Sequence, residues 1–248
     1  MITVGVDLAA EPKKTAIAVV QWVGSTATVR HLQLGVTDPE IVELSVDAAK
    51  VGIDCAFGWP DEFVEFVAAH SRGEVAPREL AGADWRRRLA YRDTDRFVRE
   101  KVGRWPLSVS TDRLGLTAMH CAELLAAFER HGHVIVDRSG EGRFAEVYPA
   151  AALRFWGVAV DGYKTDPPAR AAATANLRAA APWLDLGDDH LGLMATSDDA
   201  FDAVVAALIS RASAQGTTWG IPEQSRERAT REGWMALPSL PIGTLIDS

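Results

Sequence analysis

Two short apolar runs end on an aspartate: Ile2-Thr3-Val4-Gly5-Val6-Asp7 and Val51-Gly52-Ile53-Asp54. Each reads as a buried strand running into a turn, which puts the carboxylate at the C-terminal edge of a sheet. That edge is where open α/β sheets bind ligands. An ionised carboxylate is costly to bury, and two side by side repel each other unless a cation pairs with them. The matched pair therefore points to a divalent-metal site, or to a phosphate site built through a metal. Each aspartate taken alone also suits a turn cap. Three further acids fit the same chemistry. Glu146 lies inside the strand-like run 144–148, where Glu needs water or a cation. Asp199 and Asp202 stand three apart on a helix and so share a face. Asp199 also suits the positive end of that helix, whereas Asp202 lies past the first turn, beside Phe201 and Val205. Asp7, Asp54, Glu146 and Asp202 are the candidate catalytic residues. The same four with Asp199 are the candidate ligands for Mg²⁺ or Mn²⁺. Clusters of three or four carboxylates hold two such ions about 4 Å apart, clamping the attacking and leaving oxygens of a phosphodiester.

Converging those residues requires particular elements. Segments 2–7, 15–23 and 26–35 read as strands, with Gly24-Ser25 closing a hairpin between the last two. Asp38 as N-cap and Pro39 in the first turn predict a helix to about residue 50, followed by a strand over 51–55. Helices are expected over 61–70, 83–102 and 112–131, with a loop over 71–82. A strand over 143–148 precedes helices over 150–156, 167–181 and 198–214, the last with Ser197 as N-cap. The tail, about 216–248, reads as loops and short strands. Three strands, a helix and a fourth strand match the front half of the ribonuclease H-like fold. That fold has an antiparallel triplet, a helix, then a strand parallel to the first. The expectation is an α/β chain with a five-stranded mixed sheet flanked by helices. It forms a single domain over 1–248, with a helical insertion at about 60–110.

The net charge of −8 argues against nucleic-acid binding by the whole surface. The charge is uneven. From Trp85 to Arg104 eight basic residues face three acids, a local +5 that leaves −13 for the rest. A basic element on an acidic body is what a polyanion partner needs. Arg88, Arg92, Arg96 and Arg99 keep helical spacing and are expected to share one face. Arg92, Arg96 and Arg99 are the candidate substrate-binding residues, since the planar guanidinium suits phosphate. The same stripe also suits a solvated or internally paired helix face.

Other signals exclude more than they assign. No stretch approaches the ~20 apolar residues of a membrane span. No basic, apolar leader precedes the first strand, so a signal peptide is not expected and a cytoplasmic location is. Cys55 and Cys121 are too few for a disulfide framework or a thiolate cluster, and their apolar neighbours suit small core residues. None of the six histidines pairs at a ligand spacing on a helix, and none is assigned chemistry.

The chain as a whole resembles the DUF429 family of predicted nucleases, within the ribonuclease H-like superfamily. The residues that carry the resemblance are Gly5-Val6-Asp7-Leu8-Ala9, Gly52-Ile53-Asp54-Cys55-Ala56-Phe57-Gly58-Trp59-Pro60, Arg92-Asp93-Thr94-Asp95-Arg96, Glu146-Val147-Tyr148-Pro149-Ala150 and Asp199-Ala200-Phe201-Asp202-Ala203. The resemblance implies the ribonuclease H-like fold, with Asp7, Asp54, Glu146 and Asp202 as metal ligands. It also implies a metal-dependent nuclease or phosphodiester hydrolase acting on DNA or RNA. Two alternatives stand beside it. One is a nucleic-acid-binding or regulatory module with a vestigial site. The other is a nucleotide-binding, sugar-kinase-like relative, which would need a second Gly-rich phosphate loop and duplicated domains.

Overall fold

The computed structural model describes residues 1–75, 82–132 and 135–246. Part of the loop expected over 71–82, His133 and the last two residues of the tail lie outside them. β1 (Ile2–Asp7), β2 (Ala16–Val23) and β3 (Thr26–Leu34) form an antiparallel meander. Gly24, at φ 54°, adopts the left-handed conformation that a tight hairpin needs. α1 (Asp38–Leu44) then crosses to β4 (Lys50–Asp54), which runs parallel to β1. Thr37, not Asp38, is the N-cap, and its backbone N–H donates to Glu40 at 2.7 Å. The helix also stops at Leu44, short of the expected 50.

Next come α2 (Asp61–Ser71), α3 (Ala83–Ala90), α4 (Asp93–Val102) and α5 (Gly115–Gly132). They lead to β5 (Phe144–Glu146), which adds to β4 in parallel. α6 (Pro149–Phe155), α7 (Pro167–Ala180), β6 (Leu184–Asp185), α8 (Asp188–Thr196), α9 (Asp198–Ala214) and α10 (Arg226–Glu232) complete the chain. Among the described residues the sheet has six strands, in the order β5-β4-β1-β2-β3-β6. This corrects the expected five. The sixth strand contributes only Leu184 and Asp185 beside Ala27 and Thr28, too short to show a period of two.

The second correction concerns the arginine helix. The expected helix over 83–102 breaks at Tyr91 and Arg92, both extended (φ −125° and −73°, ψ 131° and 167°). α4 starts anew because the Asp95 carboxylate accepts the Arg92 backbone N–H at 2.8 Å, satisfying a donor at the helix start. Glu232 serves two helix starts at once, accepting from the backbone N–H of Asp61 at 2.8 Å and of Asp93 at 3.2 Å.

The expected helix over 198–214 forms as α9. Residues 200–212 are all buried, so it is enclosed on every side. It lies on β1, β2 and β4. Gly5 and Gly52, opposite each other in the parallel pair, make the close approach possible. A Cβ on Gly5 would sit 2.1 Å from the Ala207 nitrogen and 2.2 Å from the Ala203 oxygen. One on Gly52 would meet the Ser210 hydroxyl at 2.4 Å. Hydrogen bonds tie the layers: Thr3 Oγ1 donates to the Ala207 carbonyl at 3.0 Å and Ser210 Oγ to the Val4 carbonyl at 2.9 Å. The opposite face, carrying Val4, Val6, Val51 and Ile53, packs on Ile41 of α1 and on Cys121, Leu124 and Leu125 of α5. Cys55 and Cys121 are both buried free thiols.

Candidate metal centre

Alternation along a strand fixes where the two aspartates point. Gly5 and Asp7 lie two apart on β1, as do Gly52 and Asp54 on β4, so each aspartate shares the α9 face with its glycine. Asp7 and Asp54 are register partners across the parallel pair. Asp202 enters from α9, fully buried, one turn before Ala206. Among the described residues these three carboxylates form a set in which one oxygen from each lies within 4.8 Å of the others. Three hard oxygen donors at that separation suit a Mg²⁺- or Mn²⁺-class ion.

The electrostatics describe a site that wants positive charge. Burial, then Asp202 and Asp54, hold the Asp7 carboxyl well above the ordinary carboxylate range. Burial, with Asp202 and Glu146 adding, pushes Asp54 up to about 7 although Lys164 opposes it. Burial also raises Asp202, again against Lys164. Asp199, half-buried one turn earlier on α9, is raised by burial and by Asp198. It lies outside the close set of three.

Two residues of the site escaped the sequence reading. Lys164 Nζ lies 2.6 Å from Asp202 Oδ2, and the Tyr163 hydroxyl donates to the same carboxylate at 2.9 Å. Burial opposes the charge on Lys164, but Asp202 and Asp54 outweigh it and hold the ammonium protonated. Both residues sit in the turn between α6 and α7, among Asp161, Gly162 and Asp166, where composition signals only a polar loop.

Glu146 is placed differently from the other acids. It stands beside Ile53 on β5, next to the site, but both its oxygens are engaged. Arg92 donates to Oε2 at 2.8 Å and to Oε1 at 2.7 Å, and the Phe57 backbone N–H donates to Oε2 at 2.9 Å. Burial raises the Glu146 carboxyl, and Arg92 opposes that. Arg92 also reaches Asp95 Oδ1 at 3.0 Å and the Glu232 carbonyl at 3.0 Å. Gly233 closes over this cluster at φ 86°, and a Cβ there would lie 2.7 Å from Glu146 Oε2.

The three arginines of the expected face are placed apart. Arg92 is only 2% exposed and reaches the cleft wall with its guanidinium engaged by two carboxylates. Arg96 pairs with Asp93 at 3.1 Å, and Arg99 points to solvent from α4 without lining the cleft above the carboxylates. The break at Arg92 is the physical reason, because a stripe needs one continuous helix. The cleft has a volume of about 490 Å³, with Asp7, Asp54, Arg104, Arg113, Arg154 and Lys164 in its lining.

Fold and site together define a mixed α/β protein with a buried three-carboxylate site beneath an open cleft. The chain belongs to the family described as "Protein of unknown function (DUF429)", whose pattern matches residues 5–227. No curated protein and no solved structure matches the chain. Among the described residues no helix is long and apolar enough to cross a membrane.

Proposed function

We propose that this protein is a metal-dependent phosphodiester hydrolase, a nuclease of ribonuclease H-like fold. The observation that carries the reading is the convergence of Asp7, Asp54 and Asp202 from two parallel strand ends and a buried helix. The strand order β3-β2-β1-β4-β5 supports the fold, with β6 an added edge.

The three carboxylates would hold Mg²⁺ or Mn²⁺. Glu146 is committed to Arg92, so Asp199, on the face of α9 shared with Asp202, is the acid free to complete a second ion's ligands. Bound divalent ions supply an activated water and stabilise the charge on the departing oxygen. The chain's own groups set the conditions. α9, locked onto β1 by Gly5, holds Asp202 against Asp7. Arg92 keeps Glu146 and Asp95 paired and fixes the wall beside Asp54. Lys164 offsets negative charge on Asp202 while the ligands wait for metal. Its ammonium also favours a second reading, a nucleic-acid-binding module in which Lys164 takes the cation's place and no hydrolysis occurs.

The test is a cleavage screen over single-stranded, duplex and branched DNA and RNA, with Mn²⁺ and with EDTA. The hydrolase reading expects Mn²⁺-dependent cleavage of at least one substrate, abolished in Asp7→Asn. Stoichiometric binding with no cleavage of any substrate would favour the second reading.

A further inference from the structure

We infer that the cleft above the carboxylates holds a single-stranded phosphodiester chain through Arg104, Arg113 and Arg154. This deepens the hydrolase reading but stands on different residues. Three arginines from two separate stretches line the cavity that Asp7 and Asp54 also line. Arg104 and Arg113 share the connection between α4 and α5, and the tertiary fold brings Arg154 of α6 to them. All three are exposed.

Their lack of partners matters in a chain with an acid excess of eight. Among the described residues Arg72, Arg87, Arg226, Arg228 and Arg231 each pair with an acid, and the unpaired Arg30, Arg86, Arg88, Arg99, Arg130 and Arg178 lie outside the cleft lining. Among the described residues Arg104, Arg113 and Arg154 form no ion pair and no hydrogen bond with the protein. A guanidinium left open beside the carboxylates is set to hold an anion that those acids alone would repel. Its fork fits phosphate oxygens in pairs. Arg104 and Tyr148 line the same cavity.

The shape selects the strand form. A recess of about 490 Å³ is the size of a small-ligand pocket and admits one or two nucleotides, not a duplex. Its walls carry Pro106, Leu107, Leu114 and Tyr148, surfaces suited to an unpaired base. Asp7 and Asp54 line this recess. A phosphodiester therefore reaches them only when its strand is free to bend in alone.

The test is fluorescence anisotropy of a labelled single-stranded oligonucleotide against the full chain carrying Asp7→Asn, so that no cleavage intervenes, over a salt series. The reference duplex has the same sequence. Binding of the single strand should exceed that of the duplex by about tenfold. The triple variant R104Q/R113Q/R154Q should lose tenfold or more and flatten the salt slope by about 2, the loss of three phosphate contacts on a single strand. The double variant R96Q/R99Q should stay within about twofold. Circular dichroism melting checks that the triple variant is folded. If it is not, each single substitution is read by its own slope, expected to fall by about 0.7. An unchanged slope, an equal loss in R96Q/R99Q, a duplex bound as tightly, or no binding at all would overturn the inference. Cleavage by the wild-type chain is scored separately. Arginine-dependent binding without cleavage would sink the hydrolase reading and leave this one standing.

Discussion

Asp54 shows how one residue carries both stability and function. Its carboxyl is pushed up to about 7 by burial, and Asp7 and Asp202 are raised beside it. Between the ordinary carboxylate range and these raised values the folded chain binds more protons than the unfolded one. The cluster's contribution to the stability of the metal-free protein is therefore greatest near pH 4 and falls as pH rises toward 7. For Asp54 alone the fall is at most about 4 kcal/mol. Lys164 stays charged across that window and softens the loss. Urea midpoints measured from pH 4 to pH 7 with EDTA should show this decline. Asp7→Asn should flatten it and match or exceed the wild-type midpoint at pH 7, because a like charge is gone. A midpoint that climbs with pH would contradict the cluster. The buried Arg92 predicts the opposite kind of variant. Arg92→Met leaves Glu146 and Asp95 without their cation and should cost about 3–5 kcal/mol, read from the urea midpoint at pH 7. A loss under 1 kcal/mol would mean that the cluster is not formed. Asp7 and Asp54 were legible because a strand-end carboxylate breaks the apolar pattern. The Arg92–Glu146 pair was not, since its partners are 54 residues apart and each residue type suits a ligand site equally well.

At the scale of elements, the site depends on the distance between α9 and the sheet. Gly5→Ala drives a Cβ into two backbone atoms of α9, neither of which can rotate away. It should cost at least about 1–3 kcal/mol in thermal or denaturant unfolding and weaken metal binding by moving Asp202 off Asp7. Gly192→Ala is the control. It lies inside α8 with nothing within 4 Å of its Cβ, and helix propensity predicts a gain of up to about 1 kcal/mol. Equal effects from the two substitutions would refute the close-approach argument. The early strands, the hairpin and α9 were readable from periodicity and turn chemistry. β6 was too short to show a period. The break between α3 and α4 was hidden because Arg92 and Tyr91 have ordinary helix propensities and only the Asp95 cap and the Glu146 pairing pull them extended. α10 was masked by a tail that reads as loop, yet it brings Glu232 to the starts of α2 and α4.

At the scale of the molecule, an acidic chain places three open arginines in the cleft beside its carboxylates. The basic segment was visible in the charge count, but the count could not show which guanidinium groups were already spent on internal acids. The central claim is that Asp7, Asp54 and Asp202 form one divalent-cation site, and calorimetric titration with Mn²⁺ at pH 7 tests it most directly. Carboxyls held partly protonated must release protons when the ion enters. The account predicts saturable binding to the wild type, an enthalpy that changes with the ionisation heat of the buffer, and loss of both in Asp7→Asn. Binding that survives unchanged in Asp7→Asn, or no binding by the wild type, would contradict it.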